Sequence, residues 1–198
     1  MHDGNERLAR DIEALAAMSS QMAEYLDNDV LFWPLASTRL PKLTLGGYLM
    51  REHRLQQLDA LLTPEQNAEV ASAVARFNEA LAERIVRFEA KAQSELEARL
   101  RQWEEALKDM DRDTFDHSSN YSTAVETRAM IQALIDRLSM PPYRPEARPG
   151  QHLAALDTRL RNRWQPGDFV WPEEWETAYP PAEYWWLYGS PRTRDSGH

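Results

Sequence analysis

Arg39, Lys42 and Arg51 surround the pair Gly46-Gly47, which follows Thr44. A helix start bared by glycine presents backbone N–H groups, and with cations beside it the pattern suits phosphate or carboxylate. Together with Trp33, Tyr48 and Arg54, these residues form a candidate pocket for a small molecule or anion. Glycines in a first helical turn cost about 1 kcal/mol each relative to alanine. The alternative, close packing of the connector that carries Trp33, accounts for the pair without a ligand.

A second set of residues suits recognition rather than chemistry. Residues 165–188 hold Trp171, Trp175, Tyr184, Trp185, Trp186 and Tyr188 among four prolines and five acids, with no basic residue. Rings at that density do not stay exposed in a monomer without consequence. Either the segment is a belt that closes the core, its acids facing the arginines of the preceding helix, or it docks a protein partner, for which tryptophan and tyrosine are the energetically dominant residues.

Other chemistries fall away one by one. Asp109, Asp111 and Asp113 alternate as in a calcium loop, but Thr114 stands where the turn glycine belongs and Asn120 where the bidentate glutamate belongs. The absence of cysteine excludes thiol catalysis, disulfides and cysteine-held metals. Histidines at positions 2, 53, 117, 152 and 198 are scattered, and no Glu-x-x-His, HExxH, GxSxG, Walker or GxGxxG pattern occurs. Glu52 and His53 are adjacent on a helix and point to different faces, which makes them poor partners for acid–base work. None of the 32 acids stands in an apolar stretch that signals a raised pKa. No catalytic residue, metal or cofactor is therefore expected.

The chain is acidic, with a formal net charge of −9 over 198 residues, which argues against general binding to nucleic acid or anionic membranes. No apolar run approaches the roughly 20 residues that span a bilayer, and the expectation is a soluble cytoplasmic protein.

The elements that must position these residues are helices. Residues 63–110 run without a glycine or another proline after Pro64, and an apolar stripe recurs from Val70 through Phe77, Ile85, Phe88, Leu96 and Trp103 to Met110. Thr63 and Gln66 form a capping box around Pro64 at the first helical position. One continuous helix over about 64–110 would be roughly 70 Å long, against a diameter of roughly 40 Å for a compact domain of this size. The molecule is thus elongated, or the helix breaks near Ala90–Ser94. Further helices are predicted over about 5–27, 44–62, 122–139 and 151–164. The connector 28–43 is apolar enough to require burial, and residues 143–150 should be extended. The fold class is all-α: an elongated antiparallel helical bundle over residues 1–164, built on the long helix. The aromatic, proline-rich segment 165–189 packs along it, followed by a disordered tail, 190–198. The stripe drifts between heptad and eleven-residue spacing, which favours an intramolecular bundle over a supercoiled dimer.

From these features the first expectation is a non-enzymatic interaction or scaffold protein, or an accessory subunit, with a protein partner or self-association. The alternative is a bundle that binds a small molecule or anion. A third reading, an enzyme with carboxylates from separate helices, needs pairings that one sequence does not display.

Overall fold

A computed structural model describes residues 2–110, 117–144 and 146–192. Among the described residues are seven α-helices: α1 (His2–Ser20), α2 (Met22–Asp27), α3 (Leu45–Gln57), α4 (Pro64–Glu83), α5 (Ile85–Met110), α6 (His117–Leu138) and α7 (Ala147–Arg161). A small antiparallel sheet of β1 (Trp164–Phe169) and β2 (Tyr188–Pro191) follows. The fold is predominantly helical, a bundle. α1 lies along α4, α6 lies along α5, and α3 sits between, against both α1 and α6.

The apolar stripe lands in the core, and Val70, Phe77, Phe88, Leu96, Leu100, Trp103, Leu107 and Met110 are buried. The capping box at Thr63 also forms: the Thr63 N–H donates to Gln66 Oε1 at 2.9 Å and the Gln66 N–H to Thr63 Oγ1 at 3.2 Å. The predicted long helix, however, is two helices. Arg84 leaves the helical basin at φ −133°, ψ 37°, its N–H donating to Leu81 O while its own carbonyl accepts the first bond of α5 from Phe88. The break lies six residues before Ala90, the first residue of the stretch where the small side chains suggested it.

Aromatic packing gives the reason for this bend. Eleven residues of straight helix would separate Phe77 and Phe88 by about 16 Å, yet their ring centroids are 6.2 Å apart. Phe77 stacks on Tyr48 at 4.2 Å and Phe88 meets Tyr143 at 5.2 Å, so the bend assembles an aromatic column from α3, α4, α5 and the segment after α6. Full burial of each phenylalanine stabilises by about 1.5–3 kcal/mol, which outweighs helical hydrogen bonds worth about 1 kcal/mol each. Arg84 and Arg87 brace the corner through Asp27 of α2, at 3.0 and 3.2 Å. Ile85, counted on the stripe, is exposed as a result.

Smaller departures follow similar logic. The first helix divides at Gln21, whose side-chain oxygen accepts from Trp33 Nε1 at 2.9 Å. Trp33 and Leu43 exchange both backbone hydrogen bonds, at 3.1 and 2.8 Å, closing residues 34–42 into a loop that holds both prolines of the connector. That connector is only partly buried: Leu35 and Leu43 are inside, whereas Phe32 is 40% exposed. α3 ends at Gln57, with a 3-10 turn at Asp59–Leu61, and α7 starts at Ala147 where extended chain was predicted. β2 uses Ser190 and Pro191, so the order extends into the tail that begins at residue 190. Asp111, Asp113 and Asp116 of the calcium-like stretch, and residues 193–198, lie outside the described residues.

Candidate functional site in a cleft beside α3

The start of α3 has the geometry of an anion site, and the chain fills it from within. Thr44 caps the helix by accepting from the Gly47 N–H at 3.0 Å. The Glu95 carboxylate, reaching over from α5 with its side chain fully buried, accepts from the Leu45 N–H at 2.7 Å and the Gly46 N–H at 3.1 Å. Arg99 Nε donates to Glu95 at 3.3 Å, and Arg99 Nη2 to Thr44 Oγ1 at 3.2 Å. A Cβ on Gly46 would stand 2.9 Å from Glu95 Oε1 and 3.0 Å from Met130 Cβ, so Gly46 admits both α5 and α6. Burial raises the Glu95 pKa, opposed by Arg99, the Gly46 N–H and Thr44.

The other candidate ligand residues separate into groups. Tyr48 is fully buried on Phe77, Trp33 bonds Gln21, and Arg39 and Lys42 are exposed on the closed loop. Arg51 and Arg54 turn to α1, where Arg51 Nε lies 3.0 Å from Asp11 and Arg54 Nη1 pairs with the same carboxylate. Arg54, 2% exposed, also donates from Nε to Tyr179 OH at 3.0 Å and lies 3.9 Å from the Trp175 ring centroid. Arg39, Arg51 and Arg54 thus line one groove with Asp11 and Trp175, while Gly46, Gly47, Lys42, Trp33 and Tyr48 are not part of it.

The aromatic segment packs on the bundle. Trp171, Trp175, Tyr184 and Trp186 are buried, and Trp185 and Tyr188 are half-buried. Tyr121 OH donates to Trp186 O at 2.6 Å, Trp171 Nε1 to Ser122 O at 3.1 Å, and Arg161 lies 3.8 Å from the Trp185 ring centroid. Gly189, at φ 140°, lets β2 approach β1 where a Cβ would strike the Gln165 carbonyl.

Convergent polar groups meet on another side of α3. A cleft of about 340 Å³ opens between α3, α4, α6 and the C-terminal segment. Leu49, Met50, Val74, Ala129 and Ala133 provide its apolar lining, and Glu52, His53, Asn78, Asp136 and Arg137 provide polar groups. Tyr179 and Tyr184 close one wall, so the aromatic segment is part of the site.

Each charged group has a distinct environment. Burial pushes the Glu52 pKa up, opposed by the positive charge of Arg137. Among the described residues the Glu52 carboxylate has no hydrogen-bond partner and closes no salt bridge with Arg137. Arg137 Nε is buried without a hydrogen-bond partner, and the guanidinium lies beside the Tyr143 hydroxyl and 5.6 Å from the Phe77 ring centroid. Asp136, at the rim, accepts from Gln132 Nε2 at 2.8 Å. His53 Nε2 lies 2.9 Å from the Ala178 carbonyl and 3.4 Å from Tyr184 OH. Because a carbonyl only accepts, Nε2 carries the hydrogen and Nδ1 the lone pair of the neutral ring.

Two sequence arguments are corrected here. Glu52 and His53, set aside as neighbours on different faces, both line the cleft, because it wraps a wide arc of α3 that also takes in Leu49, Met50 and Gln56. Residues one apart differ by only about 100° around a helix, and that arc spans more. The acids also include three, Glu52, Glu95 and Asp136, whose pKa values burial raises. A legible signal existed: Glu52 and Gln56 follow Leu49 at three- and four-residue steps, which places polar groups on an apolar stripe. Among the described residues, no group of three or more His, Asp or Glu could hold a metal, and no helix is long and apolar enough to cross a membrane. Comparison with protein-family models, with curated proteins and with solved structures finds no match for this chain.

Proposed function

We propose that this chain is a small-molecule-binding helical protein whose ligand seats in the cleft between α3, α4, α6 and the aromatic segment. One observation carries the reading: Glu52 and Arg137 line the same cavity and attract each other, yet form no salt bridge with one another among the described residues. Charged groups taken partly out of water are ordinarily paired, and these two are not paired with each other. The cleft combines apolar and convergent polar lining in about equal measure, and its volume is at the small end of the roughly 300–1,000 Å³ range of ligand sites.

The scaffold reading has less behind it. It relied on Trp171, Trp175, Tyr184, Trp185, Trp186 and Tyr188 as a docking surface, and these side chains are engaged with the chain's own bundle. The test is a thermal-shift screen of the full chain against a broad library of small polar metabolites, repeated on Arg137→Gln. Stabilisation by a library member that disappears in the variant supports the proposal. Hits that persist unchanged in Arg137→Gln, or a screen with none, would count against it.

A further inference from the structure

We propose that the ligand of this cleft is a zwitterion of amino-acid size: its ammonium pairs with Glu52, its carboxylate with Arg137, and its apolar part lies on Leu49, Met50 and Val74. This rests on the reading of the cleft as a binding site and adds the chemistry of what enters.

Two opposite charges share this cavity without touching. Glu52 and Arg137 interact electrostatically across it but form no salt bridge among the described residues. A ligand with a carboxylate alone would satisfy Arg137 and place a second negative charge beside Glu52. An amine alone would satisfy Glu52 and place a second positive charge beside Arg137. Like charges in a partly desolvated site are unfavourable, because the screening that water supplies is reduced. A dipolar ligand offers each group an opposite charge and adds no net charge to the cleft. Charge-assisted hydrogen bonds to each end are roughly twice as strong as neutral ones.

Size and surroundings narrow the class further. A cleft of about 340 Å³ suits a molecule of amino-acid dimensions rather than a dinucleotide or a lipid chain. Its apolar lining, Leu49, Met50 and Val74 with Ala129 and Ala133, offers a side chain no further charge partner. The rim adds Asp136, already engaged by Gln132, and His53, whose Nε2–H is engaged by Ala178. With Gln56 and Asn78 neutral, the Glu52–Arg137 axis is the charged element that orients a guest.

Isothermal titration of the full chain tests this with matched probes. Leucine, methionine and phenylalanine are each compared with the amine that lacks the carboxylate and the acid that lacks the ammonium. At least one amino acid should bind, and both of its truncated analogues about tenfold or more weaker, the ratio expected for losing one charge-assisted contact. Glu52→Gln should reduce the preference for the amino acid over its acid analogue, and Arg137→Gln the preference over its amine analogue. Ratios within one variant are insensitive to a general loss of stability. An analogue that binds as tightly as its parent in the unmodified chain overturns the zwitterion. If Arg137→Gln also abolishes that binding, the cleft remains the binding site. If no probe binds, the zwitterion is overturned, and the broad library screen decides separately whether the cleft binds anything.

Discussion

Glu95→Ala removes the joint between α3 and α5, and the structure sets what this should cost. The carboxylate holds the Leu45 and Gly46 N–H groups at 2.7 and 3.1 Å and Arg99 Nε at 3.3 Å, with none of the side chain exposed. Alanine leaves two buried backbone donors without an acceptor, each costing about 1–3 kcal/mol. It also strands Arg99, 8% exposed, as a buried cation. Removing one partner of a buried pair costs about 3–5 kcal/mol; the contributions overlap, so the expected loss is about 4 kcal/mol. For a chain with a stability of about 5–15 kcal/mol this is a large share, and at about 2–4 °C per kcal/mol the melting temperature should fall by about 8–16 °C. Urea unfolding followed by helical circular dichroism should give a lower midpoint at unchanged slope. The Glu95→Ala/Arg99→Ala double variant should be more stable than the two single losses predict, because the stranded cation is gone. A loss below about 1 kcal/mol in Glu95→Ala would refute the reasoning, since two unsatisfied buried donors alone exceed it.

The remaining predictions concern the cleft, the glycines and the aromatic segment. The raised folded pKa of Glu52 means the fold prefers the protonated carboxyl. Its contribution is present below the unfolded value near 4.5 and is lost as pH rises through the folded value. Glu52→Gln should therefore melt higher than the parent at pH 7 and no higher near pH 4, as measured by calorimetry across that range; a variant less stable at pH 7 contradicts the assignment. Gly46→Ala should destabilise by about 1–3 kcal/mol through overpacking against Glu95 and Met130. Gly150→Ala, in α7 with nothing within 4 Å of the new Cβ, should stabilise by about 0.5–1 kcal/mol; equal effects in urea titrations would refute the packing account. Trp186→Ala, at a fully buried site, should cost about 3–5 kcal/mol. Near-wild-type unfolding of that variant would mean the aromatic segment is not part of the core.

Much of the fold was legible because it depends on neighbours in sequence. The stripe from Val70 to Met110 identified the inward face, with Val74 and Leu81 half-buried and Ile85 exposed, and the Thr63–Gln66 capping box forms. Arg84 carried no breaker signal: it is itself a good helix former, followed by the weaker formers Ile85 and Val86, and the bend there exists because Phe77 and Phe88 bury better packed on each other between Tyr48 and Tyr143 than strung along a straight rod. The site was less visible. Arg39, Arg51 and Arg54 do meet in one groove, but the Gly46 N–H donates to no outside anion in this arrangement because the Glu95 carboxylate accepts from it. The cleft itself needs α3 and α6 side by side, and only that placement brings Glu52 to Arg137.

By itself, then, the sequence determined the helical class, the faces that turn inward, the cap at Thr63, and the exclusion of cysteine chemistry. These follow from three- and four-residue periodicity, capping geometry and composition, all of which act over one or two turns of chain. The tertiary structure alone decided where the long helix bends, which carboxylate caps α3, that the aromatic segment lines a cleft, and which charges face one another across it. Those outcomes depend on packing between elements far apart in the chain, where close approach, burial and charge pairing compete at the same time, and no local period records the result.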